Sequence, residues 1–441
     1  MSIRTLPQQL IITGALALAL GLLVLLAAGS GEAHAAVPDY RSGQVIVKLD
    51  PKSGATIQQV NADYGTTTLD STLGGMNVYL LQTPPNADVI EFAARLADDP
   101  LGGTLDRVLY AEPNFVAQAG EGPAGDGRMR ARSISPSSVS PNQYPNETLD
   151  TNLGLSCSAT QNYQGKGVKV AVLDTGAQLD HPALKDNFKN VKSYDFVDND
   201  QNPSERWVGL DEDNDGYADE MTGHGTHVSG IVDRVAPAAK IMPLRVLDTE
   251  GYGDVFTISK AIRFAWLNGA KVINLSLGSS EKSELLQEMI GTAINNGVVV
   301  AAAAGNSNAT LPHYPAAGDG TKASADGLVA VTSVGADLNK SDFANYGLWV
   351  DVAAPGEDIR SAFPISQYAN WSGTSMSTPF VSGQAALIKQ AYGSGIKPAG
   401  KQGIEAKIRD SARSLQETDL VYGATGMLGE GHTDVCASLG R

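Results

Sequence analysis

Cysteine is nearly missing from this 441-residue chain, which holds only Cys157 and Cys436. That scarcity excludes a disulfide framework and leaves room for one bridge. In an oxidising compartment the bridge would join the start of the last domain to its end and add roughly 4 to 5 kcal/mol of chain-entropy stabilisation. Two buried thiols are the alternative. Basic residues are also short, 32 Lys and Arg against 48 Asp and Glu, a net charge of −16. Such a field repels nucleic acid and anionic membrane, and it suits a soluble monomer. Long apolar runs are absent but for Leu10 to Ala28, behind a single early charge at Arg4 and ahead of Ala33-His34-Ala35. A small-x-small triplet after such a run reads as a signal peptide over residues 1–35, hence an extracellular protein; an uncleaved anchor at the cell envelope is the alternative.

What is present is globular, with 42% hydrophobic and 18% charged residues, and the length suffices for more than one core. Residues 36–117 form a small α+β unit. Strands are expected over 44–49, 76–81 and 107–110 and helices over 57–64 and 88–97, in the order of a split βαβ sandwich. Residues 118–144 shift to Gly, Ser, Pro and Arg, the composition of an exposed linker where a precursor would be cut. From 145 to 441 short apolar runs (168–173, 241–247, 271–275, 297–304, 328–334) alternate with helical patterns that stop at Gly269 and Gly297. This is an α/β pattern with a mostly parallel central sheet flanked by helices.

Four segments carry chemistry. Asp174, in Val172-Leu173-Asp174-Thr175-Gly176, ends a buried strand; alone it would be a turn cap. His224 and His227 lie in Gly223-His224-Gly225-Thr226-His227; zinc-binding helices space their histidines at i and i+4 around a Glu, so a metal reading is poor. Ser375, in Gly373-Thr374-Ser375-Met376-Ser377-Thr378-Pro379, lies where a loop enters a helix whose amides can hold a developing oxyanion. Asn306 ends Ala301-Ala302-Ala303-Ala304-Gly305-Asn306 with an amide able to donate to the same charge.

Together, in the chain order Asp, His, Asn, Ser, these segments resemble the subtilisin-like serine proteases, or subtilases, over residues 145–441. The resemblance implies a secreted serine endopeptidase that works through an acyl-enzyme and matures from an autoprocessed zymogen. Ser375 would be the nucleophile, His224 the general acid and base, Asp174 its orienter and Asn306 the oxyanion donor. Gly251, Tyr252 and Gly253 on one side and Ser276, Leu277 and Gly278 on the other resemble the strands between which subtilases hold an extended peptide. Ala303 to Asn306 would line the pocket for the residue before the cut, with His313 near its base. Residues 36–117 are similar to subtilase propeptides, which implies that the chain's own propeptide is its intramolecular inhibitor and that protein or peptide substrates are its other partners.

An acidic stretch, Asp211-Glu212-Asp213-Asn214-Asp215-Gly216-Tyr217-Ala218-Asp219, matches the first half of a D-x-D-x-D-G calcium loop, with Thr222 in place of the closing Glu. A structural calcium ion is expected there, held by Asp211, Asp213, Asp215, Tyr217 and Asp219. Ala183 stands where many subtilases carry a calcium-ligating Asp. Two other function classes suit parts of the sequence. An inert relative used as a scaffold would keep the fold, and a calcium-binding adhesion protein would explain the acidic loop but leave the four motifs to chance.

Overall fold

The computed structural model describes residues 39–102, 106–119, 132–135, 147–211, 216–320 and 326–440; the expected leader and most of the expected linker lie outside them. β1 (Tyr40–Leu49) leads into α1 (Ile57–Tyr64), which starts on a Thr56–Gln59 capping box and ends at Gly65 in the left-handed region. β2 (Thr67–Asp70), β3 (Val78–Gln82), α2 (Val89–Asp98) and β4 (Val108–Gln118) follow. The strands lie in the order β2-β3-β1-β4 with antiparallel neighbours; β1, β3 and β4 overlap the stretches where the sequence pattern predicts strands, and β2 does not. Four residues, two of them Thr, are too few to show a period; pairing with β3 creates that strand.

Alternation along β1 decides what each face covers. Val45, Val47 and Leu49 form a small core with Ile57, Val60, Leu81, Phe92 and Leu96, whereas Ile46 points the other way into the main core. A slip of one residue would exchange the two sets.

The rest of the chain supplies β5 (Arg132–Ser135), β6 (Lys169–Asp174), β7 (Tyr194–Asp195), α3 (His224–Val235), β8 (Lys240–Arg245) and β9 (Tyr252–Asp254). Then come α4 (Val255–Leu267), β10 (Val272–Leu275), α5 (Glu284–Asn295), β11 (Val299–Ala303), β12 (Leu328–Val334) and β13 (Val352–Pro355). β14 (Ile359–Phe363), β15 (Gln367–Trp371) and α6 (Thr374–Tyr392) complete the site-bearing elements. Seven strands run parallel in the order β13-β12-β11-β10-β6-β8-β7. β10 to β13 are buried throughout, which is why they read as unbroken apolar runs. The chain builds β7 and β8 on one side of β6 and β10 to β13 on the other. The carboxyl ends of β6 and β10 therefore flank a crevice, the usual ligand position in a doubly wound sheet.

Within the expected linker, β5 pairs with β15 to extend the antiparallel β14-β15 hairpin. A free hairpin edge offers a row of unpaired amides and carbonyls, and β5 takes it. Cys157 and Cys436 form a disulfide with Cα atoms 6.1 Å apart, across 279 residues of chain. Among the described residues no helix is long and apolar enough to cross a membrane.

The first unit meets the second through helix N-termini. Glu112 on β4 accepts from the Ser283 hydroxyl (2.7 Å) and from the amides of Glu284 (2.8 Å) and Leu285 (3.1 Å) at the start of α5. Asn114 Oδ1 accepts from the Phe256 amide (3.2 Å) at the start of α4. These amides have no partner within their own helices, so the first unit satisfies donors that would otherwise need water.

Candidate active site

Asp174 ends β6 fully buried, and the Thr175 amide donates to its Oδ1 at 2.8 Å. Gly176 then turns at φ +110°, and a Cβ there would meet the Pro203 carbonyl at 2.5 Å, so the turn is closed to larger residues. His224 opens α3 and is also fully buried; its Nδ1 lies 2.7 Å from Asp174 Oδ1. Its ring stands edge-on to Trp371 with centroids 5.2 Å apart. The other ring nitrogen, Nε2, is buried without a hydrogen-bond partner among the described residues. A carboxylate on Nδ1 fixes the ring and leaves Nε2 to take up a proton. His227, one turn on, has a different setting. Its Nε2 faces the Ile359 carbonyl (2.9 Å) and the Ala369 carbonyl (3.1 Å), and burial, then the neighbouring His224, pushes its pKa down to about 3. It is a neutral tie between α3 and the β14-β15 hairpin.

Ser375 lies in the first turn of α6 and is 3% exposed. Pro379 has no N–H to offer back along the helix, which frees the Ser375 carbonyl; the Ser276 hydroxyl takes it at 2.8 Å. Asn274 Nδ2 in turn holds Ser276 (2.9 Å), so the start of α6 is fastened to the end of β10. The Ser375 hydroxyl donates to the Ser276 carbonyl at 3.2 Å and not to His224. Asn306 Oδ1 accepts from the Thr374 amide (2.8 Å) and hydroxyl (3.0 Å). With its oxygen held on that side, the Nδ2 group must face away from Thr374, and an added Cβ at Gly373 would lie 3.5 Å from it.

Between the two expected binding segments lies a stretch of the chain itself. β4 continues past the first unit and pairs antiparallel with β9, Val116 opposite Asp254, Ala117 opposite Gly253 and Gln118 opposite Tyr252. On its other edge Gln118 exchanges both backbone hydrogen bonds with Gly278, at 2.8 and 2.9 Å, and the Ala119 amide donates to the Gly251 carbonyl at 3.0 Å. Gly253 and Gly278 have no space for a side chain, since a Cβ would meet the Val246 carbonyl at 2.5 Å or the His313 ring at 2.1 Å. Both glycines pack closely on the protein behind the groove, and their strands' backbone edges pair with the extended segment between them.

The sequence model of the subtilase family matches residues 165–426. The chain belongs to the subtilase family. A second model, of the fervidolysin N-terminal prodomain, matches residues 27–114. Thermitase of Thermoactinomyces vulgaris is 42% identical over 235 residues, 51% of this chain and 76% of thermitase. Subtilisin BL of Lederbergia lenta is 38% identical over 269 residues, 59% of this chain and 88% of the relative. The solved structure of fervidolysin from Fervidobacterium pennivorans aligns over 92% of this chain and 62% of its own, with a TM-score of 0.68; at 23% identity that likeness speaks for fold alone. A protease of Pseudoalteromonas arctica PAMC 21717 aligns over 68% of this chain and 99% of its own, with a TM-score of 0.57 and 31% identity. The chain is thus a subtilisin-like serine endopeptidase with a prodomain.

In this subtilase the acidic stretch before α3 divides. Asp219 accepts from the amides of Val208 (2.9 Å) and Gly209 (2.6 Å), so both its oxygens serve the loop's own backbone. Asp211 Oδ2 accepts from the Gly216 amide at 2.9 Å, Tyr217 is exposed, and Asp213 and Asp215 lie outside the described residues. Among the described residues no cluster of three or more acidic, His or Cys side chains is arranged for a metal. Sequence reasoning missed Glu205, whose Oε1 accepts from the Thr175 hydroxyl (2.6 Å) and the amides of Gly223 (3.0 Å) and Gly225 (3.1 Å). Its Oε2 accepts from the Thr226 hydroxyl. Burial pushes this carboxyl up from its ordinary value, the two threonine hydroxyls pull it back, and nearby Asp174 pushes it up again. Nothing in Asn202-Pro203-Ser204-Glu205 distinguishes it from a solvated turn.

Proposed function

We propose that the chain is exported, folds with residues 36–117 as propeptide, residues 118–144 as linker and residues 145–441 as peptidase domain, and matures by its own hydrolysis. Residues 1–35 act as the leader that is removed, and the protein works as an extracellular monomer. A disulfide between Cys157 and Cys436 suits an oxidising compartment.

In the reaction, Ser375 Oγ leaves the Ser276 carbonyl by rotation about its side chain and donates its proton to His224 Nε2 as it bonds to the substrate carbonyl carbon. Asp174 holds the imidazole and stabilises the imidazolium. Negative charge grows on the former carbonyl oxygen, where Asn306 Nδ2 and the backbone amide of Ser375 donate to it. His224 returns the proton to the departing amine, leaving an acyl-enzyme, and then deprotonates a water that releases the acid. Substrates are extended stretches of protein bound mainly by backbone between Gly251-Tyr252-Gly253 and Ser276-Leu277-Gly278. The observation that carries this reading is the seating of Val116 to Ala119 in that groove, which also makes the propeptide an inhibitor until it leaves.

Register supports a specific first cut. Gln118 lies opposite Gly278, the Ser276 carbonyl two positions before Gly278 lies against the Ser375 hydroxyl, and counting two positions on from Gln118 along the chain gives residue 120. Hydrolysis of the Gly120–Glu121 bond follows. Mass spectrometry of freshly refolded protein is expected to find a first product beginning at Glu121. A chain whose first cut falls elsewhere would contradict the register, and a pure chain that is never cut would contradict self-maturation.

Calcium is proposed to bind at Asp211, Asp213, Asp215, Tyr217 and Asp219, whose hard oxygen donors fit the ion; the amides on Asp211 and Asp219 leave each carboxylate lone pairs for it. A chelator is expected to lower the melting temperature of the native protein, and Asp213→Ala to abolish that response. Equal melting with and without chelator would refute the site.

A further inference from the structure

Glu205 belongs to neither the acid–base pair nor the groove, yet it touches the backbone on both sides of His224. The stretch that bears it is docked on the turn after β6: the Ala177 amide donates to the Pro203 carbonyl at 2.9 Å, and Gly176 has no space for a Cβ against that carbonyl. Part of the residue is exposed, but its carboxylate is enclosed by four donors. Three of them converge on Oε1. They come from Thr175, next to Asp174 in the chain, and from Gly223 and Gly225, which flank His224.

We infer that Glu205 is a positioning residue for catalysis, clamping the turn after Asp174 to the first turn of α3 so that the carboxylate and the imidazole stay in contact. Two observations support the clamp. The Gly225 amide is shared between Glu205 Oε1 at 3.1 Å and the Thr175 hydroxyl at 3.0 Å, so the two segments meet at one donor. Gly225 also has no room for a side chain, because a Cβ would fall 2.1 Å from the Gly176 carbonyl. The backbones therefore approach too closely for another side chain to enter between them. An acceptor at the N-terminus of α3 supplies partners for amides that the helix leaves free, and misplacing a catalytic group by about 1 Å can cost 10²-fold in rate.

This inference rests on reading His224 as the general base, and its test separates the two. Glu205→Ala is expected to lower kcat 10- to 100-fold on a peptide amide substrate with KM within about twofold. Glu205→Gln keeps an oxygen for the three Oε1 donors and is expected to recover kcat to within about threefold of the native enzyme. A second readout needs no turnover. In full-length protein carrying Ser375→Ala, the low-field proton resonance of the Asp174–His224 hydrogen bond is expected to persist with Glu205→Gln and to broaden or move upfield with Glu205→Ala. Native kcat in Glu205→Ala with an unmoved resonance would overturn the inference, as would Glu205→Gln failing as badly as Glu205→Ala. Activity surviving in Ser375→Ala alone would instead overturn the site itself.

Discussion

Ser375→Ala is expected to yield a folded, full-length chain that neither matures nor hydrolyses casein, with activity down by roughly 10⁶-fold. The substitution removes one hydroxyl whose one hydrogen bond among the described residues goes to the Ser276 carbonyl, a loss of about 1 to 3 kcal/mol. The carbonyl of residue 375 stays bound to the Ser276 hydroxyl, so α6 keeps its place. Folding and chemistry are thereby separated. Val116 to Ala119 would remain in the groove, because their backbone partners on β9 and at Gly278 are untouched. Electrophoresis of purified protein, beside a thermal melt within a few degrees of the native precursor, checks both halves. Self-cleavage of the pure variant at the native rate would show that another group does the chemistry.

The second large effect is expected at Asn306. Asn306→Ala should lower kcat about 10²- to 10³-fold, some 3 to 4 kcal/mol of transition-state stabilisation, and leave KM nearly unchanged. The asymmetry follows from charge: the substrate carbonyl is neutral in the ground state, and only the tetrahedral state carries the negative oxygen that Nδ2 can serve. Thr374 sets the orientation through its amide and hydroxyl on Oδ1, so Thr374→Val, which deletes one of those donors, should give a smaller loss of the same kind. A raised KM with native kcat would assign Asn306 to substrate binding instead.

Much of this is legible in the sequence. Buried parallel strands announce themselves as apolar runs, and β6, β8, β10, β11 and β12 all lie where such runs are found. Asp174, His224, Asn306 and Ser375 were legible because each lies in a glycine- or alanine-rich frame: small neighbours let the backbone turn at Gly176 and lie close at Gly225. What escaped was set by tertiary contact. β2, β5 and β9 are three or four residues long and exist because a neighbouring edge accepts them. Glu205 is a polar residue in a polar turn, and its importance arises only when the Pro203 carbonyl meets Ala177. Spacing also cannot show that the amides of Val208 and Gly209, eleven and ten residues back, donate to Asp219. The Ser375 hydroxyl rests on the Ser276 carbonyl, a choice among staggered rotamers that no sequence pattern encodes.

One hydroxyl, made nucleophilic by a buried imidazole, is proposed to carry the reaction. Reacting the mature enzyme with a small phosphonyl fluoride and mapping the adduct by peptide mass spectrometry tests that role. One phosphonyl group per molecule is expected, on Ser375, at a rate that tracks the loss of activity and falls steeply in protein carrying His224→Ala that the native enzyme has matured in trans. An adduct on any other residue, or full labelling of Ser375 at an unchanged rate without His224, would contradict it.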